Sequence, residues 1–151
     1  MRKPRDAFFL RAESFFNLGT EIERLDSEPF GGPPIIDSYG GRSLHEQSHG
    51  ESFFALFMNR FRGNSLFILD EPEAALSPVR QMAFLSVMHA LVRAKAQFLI
   101  ATHSPIIMAF PNATILSFDK ARLHPVKYAE LEHVTLTRDF LNNPQAFLKH
   151  L

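Results

Sequence analysis

With 151 residues and 46% hydrophobic content, the chain is about one domain in size and has enough apolar side chains for a core. Lys plus Arg and Asp plus Glu number 16 each, so there is no basic field toward membrane; nucleic acid stays possible as a partner but unsupported by charge. Without cysteine the chain has no disulfides or thiolate metal sites, and without an h-region or an apolar run near the ~18 residues of a membrane span, a cytoplasmic protein is expected.

The opening MRKPR is read as a solvated terminus. Ala7 to Asp26 begins with an apolar run and continues as a helix, with Phe15, Phe16, Ile22 and Leu25 available to one face. Ser27 to Arg42 holds four Gly and three Pro and reads as an exposed loop. In SHGESFFALFMNRFRG, Ser48 and Glu51 have the spacing of a capping box and open a helix that runs to about Arg62 and closes at Gly63. SLFILD and AQFLIATH are short apolar runs, as expected of parallel strands covered on both faces. Between them Ser77 caps a helix with Pro78 in its first turn and an apolar stripe of Val79, Met82, Phe84, Leu85, Met88 and Leu91. SPIIMAF repeats the Ser-Pro start as a second short helix, ATILSFD is a further strand, and NNPQAFLKHL is a closing helix. The class is α/β with a mostly parallel sheet flanked by helices. No internal repeat interrupts it.

In such sheets ligands sit at the carboxyl ends of the strands. One apolar run ends on Asp70 and Glu71, the next on Thr102, His103 and Ser104. Such an end suits phosphoryl transfer: one carboxylate holds Mg²⁺, a second orients the attacking water, and a histidine contacts the terminal phosphate. The plainer alternative makes the two acids ordinary loop-start residues and His103 a satisfied strand-end side chain. Another class is a metal-dependent nuclease built on Asp70, Glu71 and Glu73, though no further acid from a separate element and no basic groove stand out. His45 and His49 read as solvated; His89, His124, His133 and His150 show no partner pattern. The 16 Phe read mostly as core, not as a base-stacking platform.

These residues carry a family resemblance. LFILDEP resembles the Walker B segment of ABC-type ATPases, AALS the D-loop turn and ATHSP the switch-histidine segment. QSHGES, Gln47 to Ser52, stands where the family has its Leu-Ser-Gly-Gly-Gln signature. The resemblance covers roughly Leu44 to Asp119, and it is nearest to the predicted ATPases of the AAA group related to chromosome-maintenance and repair ATPase heads. It implies ATP and Mg²⁺ as cofactors, with Asp70 supporting Mg²⁺, Glu71 as the water-orienting carboxylate and His103 sensing the γ-phosphate. It also implies a head-to-tail dimer, in which Ser48 and Gly50 contact the γ-phosphate of ATP held by a second ATPase subunit and Ser77 lies at the interface. A Ser-x-Gly turn opening a helix independently suits phosphate, through its hydroxyl, its close backbone approach and the helix dipole.

The chain departs from the pattern at several places. Gln47, His49 and Glu51 replace the signature's Leu, first Gly and Gln, and Ser77 stands where many relatives have Asp. No segment reads G-x-x-x-x-G-K-[ST], the Walker A loop that cradles the phosphates. Residues 1–151 are therefore expected to be the C-terminal portion of an ABC ATPase-like nucleotide-binding domain, a partial P-loop NTPase fold whose Walker A portion is missing or sits on a partner chain. A degenerate interaction module that has abandoned hydrolysis is the alternative.

Overall fold

The computed structural model describes residues 6–11, 64–118 and 122–149, together with Pro4, Arg24, Asp26, Ser27 and Asp37. The expected helix after Ser48, the signature-like segment with Ser48 and Gly50, and most of the Ser27 to Arg42 loop lie outside these residues. Of the expected helix ending at Asp26, Arg24 and Asp26 are described and are helical.

The chain divides into two compact units, Met1–Thr102 and His103–Leu151. In the first, β1 (Asp6–Arg11), β2 (Ser65–Asp70) and β3 (Gln97–Ala101) form a parallel sheet in the order β1-β2-β3. A 3-10 turn over Pro72–Ala75 and helix α1 (Pro78–Arg93) connect β2 to β3. This strand-helix-strand order is the one the apolar runs and the Ser-Pro start predict.

Period-two alternation decides which side chains of β2 enter the core. Ser65, Phe67 and Leu69 are buried, while Leu66, Ile68 and Asp70 on the opposite face are half-buried. The register sets Phe8, Phe67 and Phe98 side by side across all three strands. Their rings stack at 5.5 Å and 4.9 Å between centroids, the cross-strand aromatic contact that favours one register over its neighbours.

Two expectations need correction. The strands are not covered on both faces: Phe9 of β1 and Leu99 of β3 are 69% and 61% exposed, on the two strands that flank β2 among the described residues. An apolar run alone does not separate a central strand from its flanks. The α1 stripe also shifts. Gln81, Phe84 and Met88 are buried, whereas Val79 and Met82 are exposed. Gln81 goes inward because its amide Nε2 donates to the Leu76 carbonyl at 2.9 Å, satisfying a polar group at the turn into the helix.

The second unit contains α2 (Pro105–Met108), an antiparallel pair β4 (Ile115–Ser117) and β5 (His124–Val126), α3 (Glu132–Asn142) and α4 (Pro144–Leu148). α2, β4 and α4 fall in the segments where the sequence predicts them. β5 and α3 are additions. β5 carries a Pro, which argues against a strand but is tolerated in a two-stranded pair. α3 has Leu131 at its N-cap, which offers no side-chain hydrogen bond, so its start lacks the usual polar signal. The described residues are thus α/β, with a three-stranded parallel sheet and an antiparallel pair. No helix among the described residues is long and apolar enough to cross a membrane.

Candidate functional site

Asp70 closes β2 on the half-buried face, and the register places Arg11 of β1 on one side of it and Ala101 of β3 on the other. Three parallel strands therefore end together. Arg11 Nε donates to Asp70 Oδ2 at 2.8 Å, an ion pair that is partly open to solvent. Sequence reasoning missed Arg11, because its 59-residue separation from Asp70 is bridged only by strand pairing.

Glu71 adds one more rung to the ladder, its N–H donating to the Ala101 carbonyl at 2.9 Å. The backbone then turns sharply: Glu71 has φ 48° and ψ 51°, the left-handed region. A non-glycine residue pays for that conformation with steric crowding, and a following proline normally drives the residue before it to extended angles. Glu71 precedes Pro72, which is buried, so the strain is held by the packing of the 3-10 turn. Strain of this kind collects where geometry serves a site. The Glu71 carbonyl accepts from Ala74 N–H at 3.0 Å, and the residue is exposed.

Glu73 turns back toward the sheet. Its Oε2 accepts from Thr102 Oγ1 at 2.7 Å, tying the exit of β2 to the exit of β3. This occupies one of the acids that a nuclease site would use, as Arg11 occupies another. Among the described residues no group of three or more His, Asp or Glu is placed to hold a metal ion.

Ser77 stands at the N-cap position of α1 with extended backbone, but its side chain makes no capping hydrogen bond, contrary to the expected cap. Its exposed hydroxyl leaves the helix start to the backbone, where the Ser77 carbonyl accepts from Gln81 N–H at 2.9 Å.

His103 opens the second unit and is exposed. Ser104, next to it, is buried, and its Oγ accepts from the N–H groups of Ile106 and Ile107 at 3.2 Å and 3.1 Å. The imidazole of His103 meets that of His133 edge-on, with centroids 6.2 Å apart and planes at 74°. His133 Nε2 in turn lies 3.4 Å from Met108 Sδ. His133, which shows no partner pattern in the sequence, thus meets His103 and Met108 in the structure. Its position on α3, thirty residues along the chain, gave no local signal.

Residues 35–109 match the family model described as "AAA domain, putative AbiEii toxin, Type IV TA system". Comparison with curated proteins and with solved structures finds no match. The matched segment contains β2, the strained Glu71, the 3-10 turn, α1, β3 and α2, and it is similar to an AAA domain of P-loop NTPase type.

Proposed function

We propose that this chain contributes the water-activating end of an ABC-type ATPase whose phosphate cradle is supplied by polypeptide other than these 151 residues. The observation that carries the proposal is the placement of Asp70 and the strained Glu71 at the shared carboxyl end of parallel strands, in a segment similar to an AAA domain. Asp70 is the carboxylate for Mg²⁺. Its chemistry fits, since Mg²⁺ takes one or two carboxylates plus substrate phosphates, and an ion bound there would share or displace the Arg11 contact on Oδ2. Bound there, the ion would neutralise charge on the phosphoryl group in transfer. Glu71 accepts a proton from the attacking water and orients it. His103 contacts the terminal phosphate, a role that rests on the likeness of ATHSP to the switch-histidine segment. Ser48, Gly50 and Ser77 keep their roles toward ATP in a second, head-to-tail subunit on the same basis.

A non-hydrolysing interaction module is the second reading, favoured by the absence of G-x-x-x-x-G-K-[ST] from the sequence. Without the loop's amides and lysine, the acids meet a triphosphate of like charge, so the chain alone is expected to bind ATP no better than about millimolar, roughly 4 kcal/mol. One experiment separates the readings. A Walker A-bearing fragment added in trans should bring ATP binding and steady hydrolysis; Glu71→Gln should then abolish turnover and keep binding, while Asp70→Asn should weaken Mg²⁺-dependent binding. Hydrolysis by the chain alone, or a Glu71→Gln variant that still turns over, would refute the proposal. Binding without hydrolysis in the wild-type combination would leave the interaction module.

A further inference from the structure

We propose that His133 is a positioning residue for His103, holding its imidazole in one orientation through an edge-to-face ring contact that Met108 anchors in turn. The proposal deepens the reading of His103 given above, and it rests on the second unit alone.

A histidine at the surface needs two restraints to aim a ring nitrogen: one on its backbone and one on its side-chain torsions. The first comes from Ser104. Buried at 6% exposure, it accepts two backbone N–H groups of α2, and its carbonyl accepts from Met108 N–H at 3.1 Å, so the peptide following His103 is pinned to the start of that helix. The second comes from His133. The 6.2 Å centroid separation and the 74° interplanar angle fall within the edge-to-face arrangement that aromatic rings favour over face-to-face stacking. One ring edge against one face restricts rotation about the bond that swings the imidazole.

His133 would position nothing if it were itself loose. It is half-buried on α3, between the buried residues Leu131 and Val134. Its Nε2 lies 3.4 Å from the sulfur of Met108, the last residue of α2. A thioether sulfur only accepts, so the contact is a hydrogen bond in the tautomer that carries its hydrogen on Nε2, which it favours. Met108 lies one helical turn beyond Ser104, so the two restraints on His103 share α2 as their base. That base is short, and the contact with α3 completes it.

The test uses the full chain with isotope-labelled histidine. A cross-relaxation contact between the His103 and His133 rings is expected. His133→Ala should remove it and shift the His103 ring resonances, while the methyl resonances of Ile107 and Val134 hold their positions. His133→Phe keeps an aromatic edge and should leave the His103 ring closer to its original shifts than alanine does. If His133→Ala unfolds the chain, Met108→Ala provides the same test, because it frees the His133 ring and should move the His103 resonances with it. In the complemented ATPase, His133→Ala should lower kcat about five- to tenfold with little change in KM, the pattern of a misaimed group. Unchanged His103 ring resonances in folded His133→Ala would overturn the proposal whatever His103 does. Conversely, a His103→Ala variant with unchanged hydrolysis would remove the phosphate role of His103, and the ring pair would still be read from the resonances.

Discussion

Two helices in this molecule begin with the same dipeptide after neighbouring parallel strands, and the dipeptide does different things. At Ser104-Pro105 the serine is buried and its hydroxyl oxygen accepts two backbone N–H groups. At Ser77-Pro78 the serine is exposed and its side chain caps nothing, although its backbone angles are equally extended. Proline explains what is common: it suits the first helical turn, where its missing N–H has no partner to lose. The serine's role is decided by what surrounds it. At Ser104 the helix has only four residues, so capped amides are a large share of its hydrogen bonds. α1 has sixteen residues, and the Gln81 amide on the Leu76 carbonyl secures its start.

Ser104→Ala tests the difference most strongly. Loss of the cap should destabilise the chain by about 1–2 kcal/mol, toward the upper part of the range for caps because the site is buried; denaturant titration measures it. Next in size is Thr102→Val, which keeps the shape and removes the donor to Glu73. A charged acceptor in a partly buried site makes the expected cost about 1 kcal/mol. Glu73→Gln in the Thr102→Val background should then add little, whereas fully additive losses would mean the two side chains do not interact.

Glu71→Gly carries the comparison to the strand end itself. Glycine occupies the left-handed region without a Cβ clash, so the substitution should stabilise the chain by about 0.5–1 kcal/mol. Glu71→Ala, which keeps the Cβ, should give no such gain. In the complemented ATPase both should stop turnover, and a more stable but inactive Glu71→Gly would identify strain kept for function. The smallest effect is expected at Ser77→Ala, within about 0.5 kcal/mol, since an exposed side chain without a capping bond is lost. A loss comparable to that of Ser104→Ala would show that the two helix starts are alike after all.

The candidate site was legible to different depths. Asp70, Glu71 and His103 stand out because an apolar run that ends in acids, followed by one that ends in Thr-His-Ser, is a local pattern. Arg11 does not stand out. It sits in an ordinary polar position after an apolar run, and only the β1–β2 register gives it Asp70 as a partner. Glu73 shows the reverse case. In sequence it is one more acid beside two others, but its carboxylate turns to Thr102.

By itself, the sequence determined the order of elements from β2 through α2, because period, proline placement and apolar runs act over a few residues. It determined too that the acids fall where β2 ends, since strand length and the Pro72 stop are local. Only the tertiary structure decided which strands are exposed, that Gln81 is buried while Val79 is not, that Glu71 is held in a left-handed turn, and which side chains meet: Arg11 with Asp70, Glu73 with Thr102, His103 with His133. The physical reason is the same for each. A hydrogen bond or ring contact between residues about thirty or sixty positions apart depends on strand register and helix docking, and no local propensity encodes which partner those bring into contact.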